Sequence, residues 1–168
     1  MRLTAALTLT VAIALAGCGY KLGEIRPTPM RSVRSLAVPN FKNTTYIPRI
    51  ETLMADTLVK GLQRDGTYKV LPEAEAYAIL NCTVTKVIRV PIRSVQNNVL
   101  ATSEFALAIE ASYEVQDRIT GAILMKGTLI GKTTFFSGND LVTIERQAIS
   151  NAAADLANNI TVAVSEGW

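Results

Sequence analysis

From Glu104 to Gln116 the chain alternates without a break: Phe105, Leu107, Ile109, Ala111, Tyr113 and Val115 fall on one parity, and Glu104, Ala106, Ala108, Glu110, Ser112, Glu114 and Gln116 on the other. A two-residue period held this long is a strand with one face buried and one face open to water or a partner. Whatever surrounds it must therefore supply a layer for one side only. Asp117-Arg118-Ile119-Thr120-Gly121 reads as a hairpin turn, and Ile123 to about Phe135 as the returning strand. Upstream, Ile79 to Val90 is rich in β-branched residues and reads as another long strand. Ser35 to Phe41 holds a short one, in which Leu36 and Val38 share a face, and Tyr68 to Leu71 a short extended piece.

Two helices provide the layer. The first is expected from about Pro48, whose missing N–H suits a first turn, to Asp65-Gly66, where glycine takes the left-handed cap. Ile50, Leu53, Met54, Thr57, Leu58, Gly61 and Leu62 form its apolar stripe. The second follows Ser137-Gly138-Asn139-Asp140, which offers an Asn or Asp cap, and runs to about Val164. Ile144, Ala148, Ala152, Leu156, Ile160 and Val164 recur every four residues along it, widened by Ile149 and Ala153, and the alanines permit close approach to a sheet. The order strand, helix, three strands, helix predicts an α+β two-layer sandwich: a mixed four-stranded sheet with both helices on one face. The other face is expected to stay exposed, with Ile79, Val87, Leu124, Ile130 and Phe136 contributing apolar groups beside Lys126 and Lys132.

The N-terminus reads as a targeting device. Arg2 precedes an apolar stretch too short to span a bilayer, closed by Leu15-Ala16-Gly17-Cys18. This fits a bacterial lipoprotein signal peptide over residues 1–17, with Cys18 as the acylated residue. Gly19, where an aspartate would favour retention at the inner membrane, points to the outer one. Residues 18–34 are expected to be a lipidated N-terminus and basic tether, in which Lys21, Arg26, Arg31 and Arg34 face only Glu24, and residues 35–168 a single domain.

Removing 17 of 168 residues leaves 151, enough for one core without a disulfide. The formal charge of +3 includes Arg2, and what remains is too weak to argue for nucleic acid. Histidine is absent, which removes the commonest general base and metal ligand. Cys82 falls on the apolar parity of its strand and is expected to be buried and inert. No phosphate loop, nucleophile elbow or metal spacing appears. The expectation is no enzyme, no metal and no cofactor.

Several segments, taken in order, are familiar. Cys18-Gly19-Tyr20-Lys21-Leu22, Val38-Pro39-Asn40-Phe41-Lys42-Asn43-Thr44-Thr45, Arg64-Asp65-Gly66, Asp117-Arg118-Ile119-Thr120-Gly121, Arg146-Gln147-Ala148 and Ala154-Asp155-Leu156-Ala157 together resemble the LptE family of lipopolysaccharide-assembly lipoproteins. The resemblance implies a non-enzymatic partner that plugs and stabilises the outer-membrane barrel LptD and assists lipopolysaccharide insertion. It also implies basic contacts to lipopolysaccharide near the loop between the second and third of the four strands and before the last helix. Ser94 to Glu104 and Phe135 to Glu145 hold no Lys or Arg, so Arg89, Arg93 and Lys132 are the nearest substitutes. Val38 to Thr45 and Ala78 to Val84 are also similar to lipoproteins that activate a peptidoglycan synthase or build curli-type secretion assemblies. A periplasmic lipid carrier would instead need an enclosed apolar cavity.

Overall fold

The computed structural model describes residues 26–95 and 98–167. The expected leader, Cys18, Gly19, Lys21, Glu24 and Trp168 lie outside the described residues. A single turn of 3-10 helix (Thr28–Met30) leads into β1 (Ser35–Ala37), β2 (Lys42–Asn43), α1 (Ile50–Asp65), β3 (Lys69–Val70), β4 (Ala78–Val95), β5 (Asn98–Asp117), β6 (Ile123–Phe136) and α2 (Leu141–Glu166). The sheet order is β3-β1-β4-β5-β6, with β2 also beside β4. β1 pairs in parallel with β3 and β4, and β2 with β4, while β4, β5 and β6 form an antiparallel meander. The domain is the expected α+β sandwich. The four principal strands are joined by two of two residues each, β2 and β3, the latter arising from the Tyr68 to Leu71 piece.

The predicted parity of β5 is realised: Leu107, Ile109, Ala111, Tyr113 and Val115 are buried, and their partners on β4 are Arg89, Val87, Val84, Cys82 and Leu80. α2 crosses this face with Ala148, Ala152, Ala153, Leu156, Ala157, Ile160 and Val164 buried, and α1 contributes Ile50, Met54, Ala55, Leu58 and Leu62. The alanines let α2 sit low, and the sheet answers with Gly131 on β6. A Cβ there would run into the backbone of Ala152 and Leu156. Where the helices cross, Gly61 of α1 faces Thr161 of α2, 3.1 Å from the nearest position a Cβ could occupy. Their C-terminal ends meet where the Ser165 hydroxyl donates to Asp65 (2.9 Å).

Helix ends follow local chemistry. Asp140 caps α2, its carboxylate accepting from Thr143 N at 3.1 Å, and that interaction holds its pKa below the usual carboxylate value. α1 starts two residues later than its Pro48 signal suggests, because Arg49 adopts a left-handed conformation (φ 63°) and its carbonyl accepts the first helical bond, from Leu53 N. Packing also begins earlier than Ser35. Met30 and Val33 are fully buried, and Arg26 donates to the carbonyls of Val33 and Thr67 and stacks 5.0 Å over Tyr68. Tyr68 in turn donates to Val164 O (2.7 Å). Residues 26–34, expected in the tether, are thus docked on the domain, because apolar side chains at positions 30 and 33 bury together.

Candidate functional site

The helices cover one face of the sheet, and the open face divides into two halves. At the end where β4 begins, Lys42, Asn81, Thr83, Ser112, Glu114, Gln116, Lys126 and Thr128 line a shallow polar hollow of about 750 Å³. Towards the β4–β5 hairpin tip the same face turns apolar: Ile88 and Val90 on β4, Ala106 and Ala108 on β5, and Ile130 and Phe136 on β6. Ile88, Val90, Ile130 and Phe136 keep 46%, 45%, 41% and 61% of their surface exposed, with Lys132 and Thr134 between the two on β6. Lys132 and Thr134 complete a hollow of about 360 Å³ there.

Of the five apolar residues expected on this face, Ile79, Ile130 and Phe136 are on it. Val87 and Leu124 are not: both pack against the core. The cause is a pair of register shifts, one at Thr85 between Val84 and Lys86 and one at Leu124 opposite Val115 and Gln116. Each adds a residue to one strand and reverses the faces beyond it. The first is what brings Ile88 and Val90 outward. At this junction Glu110 accepts from the Thr85 hydroxyl (2.8 Å) and lies 3.3 Å from Lys86, contacts that draw its pKa below the usual value.

A third hollow, about 590 Å³, lies on the helical side between Ile47, Pro48, Leu53, Val142 and Ile149, flanked by Arg49 and Arg146. All three are surface depressions, not the enclosed chamber a lipid carrier would need. Cys82 is buried opposite Tyr113, and burial pushes its thiol up to about 12, so it stays a protonated core group as expected. No helix among the described residues is long and apolar enough to cross a membrane.

The sequence matches the LptE family, described as lipopolysaccharide-assembly, over residues 33–164. The chain belongs to the LptE family. No curated protein shows a significant match to it. Among solved structures it is similar to a putative lipoprotein from Caulobacter crescentus (17% identity, TM-score 0.52, covering 74% of this chain and 87% of that one). It is also similar to protein XCC0632 from Xanthomonas campestris (11% identity, TM-score 0.57, 80% and 85%) and to the PelC dodecamer from Paraburkholderia phytofirmans (15% identity, TM-score 0.52, 79% and 88%). At these identities the likeness is one of fold.

Two of the segments that carry the LptE resemblance, Val38 to Thr45 and Asp117 to Gly121, build turns. Asn43 donates to Ile47 O and Glu51 while accepting from Thr45, and Thr44 N bonds to Val84 O at 3.1 Å, fixing the approach to α1. Asp117 accepts from Thr120 N and Ile119 N (2.7 and 3.0 Å), which lowers its pKa, and Gly121 supplies the positive φ of 70°. The three basic residues suggested by the LptE resemblance do not form one cluster. Arg89 lies on the helical side, paired with Glu145 at 2.7 Å and stacked on Phe105. The register places Arg93 opposite Glu104 at the end of the open face, 3.5 Å from that carboxylate. Lys132 is exposed on the open face, opposite Ala108. The bulge at Thr85 set Arg89 apart, a feature that alternation alone does not reveal.

Proposed function

We propose that this LptE-family chain is a non-enzymatic lipoprotein of the outer membrane, held by acyl chains on Cys18, that sits in the LptD barrel, stabilises it and assists lipopolysaccharide insertion. The family match across residues 33–164 carries this reading, and it favours lipopolysaccharide assembly over peptidoglycan-synthase activation or a curli-type assembly. The open face supports it physically. A domain that leaves Ile88, Val90, Ile130 and Phe136 uncovered gains by burying them, at roughly 25 cal/mol per Å² of apolar surface removed from water. A lipid tether keeps the partner at high effective concentration. Photo-cross-linking from Phe136 or Ile130 in intact cells is expected to capture an outer-membrane barrel. Capture of a peptidoglycan synthase alone would transfer the chain to the runner-up class.

Lipopolysaccharide contact belongs to the same proposal, with Lys132 and Arg93 on the open side as its donors and Arg89 as a separate, helix-side candidate. The double substitution Arg93→Glu with Lys132→Glu is expected to weaken binding and flatten its salt dependence, whereas Arg89→Glu, which also breaks the Glu145 pair, acts mainly on stability. Equal lipopolysaccharide titrations for wild type and the double variant would return both residues to solvated surface.

A further inference from the structure

Both long edges of the sheet matter for what can pair with it. On the β6 side the edge is closed by α2: Asp155 accepts from Lys132 N (2.8 Å), and Asn159 donates to Ile130 O (3.0 Å). Side chains of the covering helix thus occupy main-chain groups that an incoming strand would need. On the β4 side, β1 and β2 pair only as far as Val84, and among the described residues no strand pairs with β4 beyond it. Residues 86–91 run for about 20 Å as a regular edge before a further bulge at Ile92, with Ile88 and Val90 about half exposed.

The register states which amides face outward. Ile130 and Lys132 point away from β5, so Gly131 bonds to β5, and across the ladder Ala108 and Ala106 bond to Ile88 and Val90. Val87, Arg89 and Pro91 are left facing away from the sheet. Pro91 agrees with this, since proline within a strand is tolerated where its missing N–H faces outward. Val84 agrees too: it lies before the bulge, opposite Ala111, and its outward carbonyl is used by Thr44.

We propose that this edge takes up an extended segment of the partner barrel as an added strand, a step that rests on the function proposed above. Main-chain bonds to Val87, Arg89 and the Pro91 carbonyl would give it affinity, and apolar side chains laid beside Ile88 and Val90 would give it register. Charge selects against a second copy of the chain. The edge carries Lys86 and Arg89, with Arg93 just beyond, and no acid. Each is paired within the domain, to Glu110, Glu145 and Glu104, but the base is the more exposed partner of every pair (61%, 43% and 70% against 23%, 31% and 12%), so two such edges set together bring like charges outermost. A segment alternating apolar and acidic residues is the complement.

A photoreactive residue is placed in turn at each position from 86 to 91 in the full, lipidated chain in intact cells. Adducts with the barrel that alternate in yield with a two-residue period are expected. Barrel adducts obtained from Phe136 but absent or without alternation at 86–91 would overturn strand addition while leaving the function standing; no barrel adduct from either region would overturn both. Adducts with a second copy, or with residues 19–25 of the same chain, also overturn it. As an independent arm, Arg89→Ala keeps the outward N–H and Arg89→Pro removes it, in a position of the kind Pro91 already occupies. Barrel recovery is expected to fall about tenfold further for the proline variant, the scale of one lost main-chain bond with local distortion. Equal recovery of two variants with matching thermal transitions rules out a main-chain contact.

Discussion

Replacing Gly131 with alanine is expected to destabilise the domain by about 3 kcal/mol, the upper part of the range for overpacking a closed core. The new methyl would lie inside van der Waals distance of the Ala152 carbonyl oxygen and the Leu156 nitrogen, and 2.5 Å from the Leu156 Cβ. None of these is a side-chain end that can swing away, so α2 must lift from β6. Opening that gap loosens Leu156 and Ile160, which are fully buried. Alanine is the better strand residue by roughly 0.5–1 kcal/mol, an offset too small to change the sign. A thermal transition lowered by about 10 °C is the measurable consequence. Gly127→Ala is the control: its methyl meets the Tyr113 ring 2.9 Å away, a group that can rotate, so its cost is smaller. Equal stability of both variants would mean that α2 does not rest on Gly131.

Substituting Cys18 with alanine is expected to move the protein, produced in excess of its barrel partner, almost wholly from the membrane to the soluble periplasmic fraction. Each buried CH₂ of an acyl chain contributes ~0.8 kcal/mol, one chain binds only marginally, and two or more hold stably. Losing all of them removes the anchor in one step. The docked Arg26, Met30 and Val33 are untouched, so the thermal transition should not move. Membrane retention of that excess without Cys18, or an intact mass showing no acyl chains on the wild type, would sink the lipoprotein assignment.

Much of the fold was legible because its signals are local. The β5 alternation, the four-residue stripe of α2 and the Asp140 cap each depend on neighbours along the chain, and each is realised. Familiar segments such as Asn43-Thr44-Thr45 and Asp117 to Gly121 identify the family because their turn chemistry uses particular side chains. They mark how the chain bends. The site was less legible. Val87 and Leu124 were expected on the open face and pack inward, while Ile88 and Val90 lie there unannounced, because one inserted residue at a bulge reverses every side chain beyond it. A bulge is decided by how two strands settle against each other and against α2, which no window of sequence contains.

The residue order by itself determined the layer plan, the buried parity of β5, the helical stripes and the absence of histidine chemistry, since periodicity and composition are properties of the chain alone. Only the tertiary structure decided that Arg89 and Lys132 face opposite sides, that Met30 and Val33 belong to the core, and that Gly131 receives α2. It also decided that one sheet edge is closed by Asp155 and Asn159 while, among the described residues, no strand pairs with the other beyond Val84. These are contacts between segments distant along the chain, and their geometry exists only once the helices have been laid on the sheet.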